Sequence, residues 1–181
     1  MRAWLLAAAV CACVLAPLVG RADDLAWSRL VVAEHPVSVE LPKRAKSRHQ
    51  TSDWGLARAE TDVLEVHAFG GVLSANATVA PSLAIRMAGH DLIFLTTRDT
   101  VLRKSGGAKV AWEEVSRSGV AGKRLTYTVD DHGTPLRGTM EVYVFDPYIV
   151  TFDALLPSDA PADAADRFFK SIRLKELARG R

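Results

Sequence analysis

Residues 122–145 read GKRLTYTVDDHGTPLRGTMEVYVF, and their pattern is the most informative one in the chain about its fold. Apolar residues alternate with polar ones on both sides of a DDHG segment at 130–133. Alternation with a period of two is typical of a strand with one buried face. The segment between the two runs favours a tight turn, because glycine readily takes positive φ and aspartate bonds local backbone donors. The stretch therefore predicts a hairpin with strands near 122–130 and 136–145.

The same alternation recurs on either side of this hairpin. It runs from Val37 to Leu41 before a proline, and again from Leu64 to Ala68. After the hairpin, Asp146-Pro147 forms a second turn signal that returns the chain into residues 148–155. We therefore expect at least three successive antiparallel strands near the C-terminus, preceded by further strands.

Residues 81–103 change to a helical period. Gly89 weakens the middle of this segment by roughly 1 kcal/mol relative to alanine, so a kink or two shorter helices is an alternative, and residues 90–96 could instead form a strand. The predicted buried stripe consists of Ile85, Ala88, Leu92, Leu95 and Leu102.

A second helix is predicted from 161 to 172, with Ser158 or Asp159 as its cap and Phe168 and Phe169 on its buried face. Strands, a helical insert, more strands and a closing helix predict an α+β fold. We expect an α/β/α sandwich around a mostly antiparallel sheet.

The N-terminal 22 residues have the layout of a cleavable secretory signal. Arg2 precedes an apolar run, Pro17 interrupts it, and small residues lead to Ala22. We therefore expect an exported chain of residues 23–181, periplasmic in a Gram-negative bacterium and otherwise secreted, with no membrane span after cleavage. Lipid modification at Cys13 is a minor alternative.

Composition limits the possible functions of residues 23–181. Both cysteines of the chain, Cys11 and Cys13, lie in the predicted leader, so the remaining domain is cysteine-free and has neither a disulfide nor a thiol nucleophile. The whole chain has 23 Lys and Arg against 21 Asp and Glu, and the leader holds two of the arginines and no acids. The remaining domain is therefore neutral overall, which gives no electrostatic argument for nucleic-acid binding.

Three segments resemble the PsbP-like superfamily. They are VSVELP at 37–42, GVAGKR at 119–124 and RFFKSI at 167–172, and together they span almost the whole predicted domain. The resemblance implies the α/β/α fold and a tendency to bind protein partners. Each segment is a structural signature, so the resemblance assigns no site residue and no cofactor.

Catalytic and metal-binding patterns are weak in this sequence. The serines lack both a G-x-S-x-G elbow and an S-x-x-K pair, and the five histidines are 14 or more residues apart. A site could be assembled from Asp130, Asp131 and His132 at the hairpin tip, although solvated turn residues are the simpler interpretation. The sequence thus indicates a non-enzymatic protein without a cofactor.

One cluster of positive charge stands out, formed by Lys43, Arg44, Lys46 and Arg48. Its simplest interpretation is a solvated loop, and the alternative is a docking patch for an anionic surface or partner. The function that we expect is an exported binding or assembly domain acting on a cell-envelope macromolecule. The alternative is a small-ligand or metal-binding periplasmic protein with a pocket between the helical insert and the sheet.

Overall fold

A computed structural model describes residues 25–54, 57–106 and 110–174. The predicted leader, including Cys13, lies outside these residues. Ten strands and two helices are described, and their bounds are β1 Trp27–Val31, β2 Val37–Pro42, β3 Lys46–Trp54, β4 Ala57–Ala68, β5 Gly71–Val79, α1 Ser82–Lys104, β6 Ala111–Arg117, β7 Val120–Asp131, β8 Thr134–Phe145, β9 Tyr148–Pro157, α2 Ala162–Ser171 and β10 Arg173–Leu174.

Seven of the strands form one antiparallel sheet in the order β3-β4-β5-β9-β8-β7-β6. The predicted hairpin is present as β7 and β8, with Leu125 opposite Met140. His132 and Gly133 both have positive φ at its tip, as the DDHG segment predicts. The helical insert falls between β5, in the middle of the sheet, and β6 at its edge.

Each face of this sheet carries a separate apolar core. One core packs β4, β5, β8 and β9 against α2 and a three-stranded sheet in the order β1-β2-β10. The other packs β7, β8 and β9 against α1. The predicted α+β fold, with a mostly antiparallel sheet between helical layers, is therefore confirmed, and the small sheet shares its outer layer with α2.

The closing helix α2 places its phenylalanines as predicted. Phe168 is fully buried, and its ring lies 6.3 Å from that of Phe152 and 5.0 Å from that of Phe169. Pro161 occupies the position before the first turn and makes no side-chain capping bond, so the predicted cap at Ser158 or Asp159 is wrong. Proline is tolerated before the first turn because its fixed φ, here −53°, fits this position and its missing N–H would have no acceptor within the helix.

The helical insert is a helix throughout residues 90–96, but its predicted buried stripe is wrong in the second half. Leu92 and Leu95 are exposed, while Ile93, Phe94 and Val101 are buried. The cause is Gly89, whose φ of 73° and ψ of 155° interrupt the helix. This break rotates the second segment about its axis, so a stripe that continues the phase of Ile85 points away from the sheet.

Candidate binding surfaces

The outer face of α1 carries exposed apolar side chains. We define it by Leu83, Met87, Leu92 and Leu95, which are 65%, 78%, 54% and 44% exposed. Leu83 and Met87 are one helical turn apart before the Gly89 break, and Leu92 and Leu95 are one turn apart after it. The break therefore brings apolar residues of both segments to the solvent side.

The face of the main sheet opposite α1 holds a buried carboxylate that is bound by two arginines. Glu141 on β8 has no exposed surface. Arg117 binds both of its oxygens through Nε and Nη2, at 2.7 and 2.9 Å, and Arg124 donates to Oε1 from Nη2 at 2.6 Å. The Tyr143 hydroxyl donates to Oε2 at 2.6 Å. We call these four residues the Glu141 cluster.

The charge state of the Glu141 cluster follows from these bonds. Burial alone would raise the pKa of Glu141, but hydrogen bonds from Arg117, Tyr143 and Arg124 outweigh burial and lower it. Burial and the bond to Glu141 raise the pKa of Tyr143, so its hydroxyl stays protonated and remains a donor. The cluster therefore contains one anion and two cations at neutral pH.

A cleft lies over this cluster. Its volume is about 420 Å³, and its walls include both arginines, Thr126 and Thr139 on the sheet, and Phe169 on α2. Glu113 borders the cleft and accepts a bond from Arg124 Nη1 at 2.9 Å. Its neighbour Glu114 binds Lys123 instead, so the two adjacent glutamates point to opposite faces, as successive residues of a strand do.

A second cleft of about 390 Å³ lies where the helical insert begins. It is bordered by Arg58 and Glu60 on β4, Val79 and the Ala80-Pro81-Ser82 segment. This is the position at which the sequence places a pocket between the insert and the sheet. Among the described residues, no buried side-chain nitrogen or oxygen lacks a hydrogen-bond partner.

Sequence reasoning missed a carboxylate that joins two histidines. Asp62 on β4 binds His35 Nε2 at 2.7 Å and His49 Nδ1 at 3.0 Å. His35 comes from the β1–β2 turn, so this bridge joins the two sheets. The pairing of His49 with Asp62 follows from the β3–β4 register, which spacing between histidines alone could not show.

The predicted hairpin-tip residues are exposed on their turn. Asp130 Oδ1 accepts a bond from Gly133 N at 2.6 Å, and His132 Nε2 lies 3.9 Å from Asp131 Oδ1. Across residues 25–54, 57–106 and 110–174, no group of His, Cys, Asp and Glu is arranged to hold a metal ion. The Asp130 bond is a local turn contact.

The predicted basic cluster lies at the edge of the main sheet. Lys43 and Arg44 occupy the β2–β3 turn, whereas Lys46 and Arg48 are exposed on edge strand β3. Arg48 Nη2 lies 3.3 Å from Glu65 Oε2, which neutralises part of the charge. Charged side chains on an edge strand also discourage pairing with another chain, which gives this cluster a structural role.

Comparison with known proteins supports the fold. No family model matches the chain, and no curated protein matches it. The solution structure of cyanobacterial PsbP (CyanoP) from Synechocystis has a TM-score of 0.52 at 15% identity, over 86% of this chain and 96% of that one.

Two further structures are similar with lower scores. A crystal structure from Bacteroides thetaiotaomicron has a TM-score of 0.46 at 10% identity, over 78% of this chain, which spans 46% of that one. The protein of unknown function PA94 from Pseudomonas aeruginosa, a putative regulator, has a TM-score of 0.35 at 11% identity, covering 73% and 83% of the two chains. None of the helices described is long and apolar enough to cross a membrane. The arrangement of strands and helices, together with the similarity to CyanoP, shows that this chain has a PsbP-like fold.

Proposed function

We propose that this chain is an exported, non-enzymatic binding or assembly domain that holds a protein of the cell envelope through the outer face of α1. One observation carries the proposal. Of the five large hydrophobic side chains that are exposed in the described part of the chain, four belong to this helix. Export rests on the predicted leader, and a binding role is what the PsbP-like resemblance implies.

The hydrophobic effect favours covering the outer face of α1 with a partner over leaving it in contact with water. Single exposed apolar residues are ordinary, but several on one helix face indicate an interaction site. Burying a leucine or methionine side chain fully yields about 1.5–3 kcal/mol, so four partly exposed ones supply a useful share of a binding energy. Anchors of this kind, surrounded by polar residues, are the usual centre of a protein interface.

The charges on α1 favour a protein over a membrane surface as the occupant. The sequence of α1 contains four basic residues and two acids, Asp91 and Asp99, which are both exposed. Arg98 Nη2 lies 3.0 Å from Asp99 Oδ1, so part of the positive charge is paired on the helix itself. A helix that lies on an anionic membrane is rich in Lys and Arg on its polar face, and acids there are repelled. A protein partner can present both signs of charge around an apolar centre.

Photocrosslinking tests this proposal. A photoreactive residue at position 87 of the full chain, expressed in its native envelope, should give a crosslinked product of defined mass. The matched control places the same group at His132, whose side chain is 95% exposed on the hairpin turn. Mass analysis of the purified chain should also find an N-terminus at Asp23.

Charge substitutions provide the second half of the test. Leu92→Glu with Leu95→Glu should weaken the crosslink at least about 10-fold while leaving the melting temperature near that of the parent, since both residues are exposed. Equal products from positions 87 and 132, or a product that survives both substitutions, would contradict the proposal. A product of two copies of this chain would replace the envelope protein with a homodimer.

A further inference from the structure

The Glu141 cluster contains more positive charge than its buried carboxylate requires. A buried anion must be paired to be tolerated, and one guanidinium with bidentate geometry suffices for one carboxylate. Arg117 already provides that geometry through Nε and Nη2. Arg124 is a second cation on the same carboxylate, so the cluster has a net charge of +1 beside the cleft.

The excess positive charge is balanced by a carboxylate that is exposed to solvent. Arg124 Nη1 binds Glu113, whose side chain is 59% exposed. An exposed ion pair contributes little, because water solvates both partners almost as well and the acid loses rotamer freedom. Glu113 can therefore swing away at small cost and leave Arg124 Nη1 facing the cleft.

Further donors surround the same space. The bonds of Arg117 to Glu141 use Nε and Nη2, so its Nη1 is not engaged by that carboxylate. Thr126 and Thr139 contribute hydroxyl groups to the wall, and the Phe169 ring forms an apolar side. Because Glu141 holds both guanidiniums in place, these donors are positioned before any ligand arrives.

We infer that this cleft is a binding site for a small organic monocarboxylate, whose oxygens replace Glu113 at Arg124 and bind Arg117 Nη1. Lys170 and Asp166 also line the cleft and pair with each other at 3.1 Å, so once Glu113 moves away the net charge of +1 on the Glu141 cluster is left to match a monoanion. A volume of about 420 Å³ accommodates a carboxylate with a ring or short chain packed against Phe169. This inference goes beyond the proposed function, since it concerns the sheet face opposite α1.

Benzoate, benzamide and inorganic phosphate serve as probes, titrated into the full chain by calorimetry at constant ionic strength. Benzoate should bind saturably and benzamide, which is neutral and of similar shape, should not. Phosphate carries more charge than the cluster and should bind more weakly than benzoate. Saturable binding of phosphate alone would overturn the monocarboxylate assignment, and so would equal binding of benzoate and benzamide.

Two substitutions connect binding to the cluster. Glu113→Gln removes the competing acid and should tighten benzoate binding about 2- to 5-fold, the range expected for an exposed ion pair. Arg124→Lys keeps the charge but removes the planar fork, and should weaken binding at least about 10-fold. The matched control is Glu114→Gln, on the opposite face of the sheet, which should leave the benzoate affinity unchanged. If Glu113→Gln leaves the benzoate affinity unchanged or lowers it, the inference fails.

Discussion

Glu141→Gln should destabilise the protein by about 3 kcal/mol at pH 7. The substitution keeps the size of the side chain but removes the charge that three donors share. Glutamine offers one oxygen in place of two, and its amide nitrogen would face guanidinium N–H groups. Removing one partner of a buried ion pair costs about 3–5 kcal/mol, and we expect the lower end because Arg117 and Arg124 stay 21% and 34% exposed to water.

The effect should depend on pH in a defined direction. The pKa of Glu141 is lower in the folded protein than its ordinary value, which is about 4.3 in an unfolded chain. Its stabilising contribution is therefore complete above that value and declines as the pH falls through the lower, folded pKa. The difference in the free energy of unfolding between parent and variant should have its full value at pH 7 and should decrease below about pH 4.

Urea unfolding of the parent and the variant, followed by tryptophan fluorescence and circular dichroism at several pH values, measures this difference. Glu113→Gln is the matched control, because it removes an acid from the same arginine at an exposed position and should cost less than about 1 kcal/mol. A loss below about 1 kcal/mol for Glu141→Gln at pH 7 would refute the reasoning, and so would a difference that stays constant down to pH 3.

Two further predictions concern the outer layers. Phe168→Ala should cost about 3–5 kcal/mol in urea unfolding, because the fully buried ring joins α2 to the sheet, and a melting temperature within a degree or two of the parent would contradict this. For Asp62, burial alone would raise the pKa, but bonds from His49 and His35 lower it. Asp62→Asn should therefore lower the free energy of unfolding by about 1.5–3 kcal/mol at pH values above about 4, and by less at lower pH. An equal loss at pH 3 and pH 7 would contradict this prediction.

The sequence predicted the fold well because strand alternation and turn residues act locally. The hairpin of β7 and β8, the return into β9 and the helix α2 all followed from short patterns. The second half of α1 did not, since one glycine changed the phase of the helix. A periodic stripe is reliable only while the backbone stays regular, and Gly89 marked the place where it could fail.

The candidate sites were harder to predict for a related reason. From the sequence, Glu141 is the polar member of an alternating strand. In the structure, residues 141–144 of β8 are buried on both faces, and the glutamate is enclosed. Its partners Arg117 and Arg124 come from two other strands. The bridge at Asp62 likewise joins His35 and His49 from separate elements. Such groups meet through strand order and register, which local patterns do not contain.

The strand order also determines when the main sheet can be completed. β5 pairs with β9, and the paired residues Val79 and Tyr148 are 69 positions apart, with the whole of α1 and the β6–β8 meander between them. Contacts between distant positions slow folding, since a long loop must close before they form. Until β9 pairs with it, β5 has an edge of unpaired backbone N–H and C=O groups. This strand also carries the apolar residues Leu73, Ala75 and Ala77. A chain that crosses a membrane N-terminus first would therefore display an aggregation-prone strand while its C-terminal third is still emerging, and this interval is when a holding chaperone would matter most.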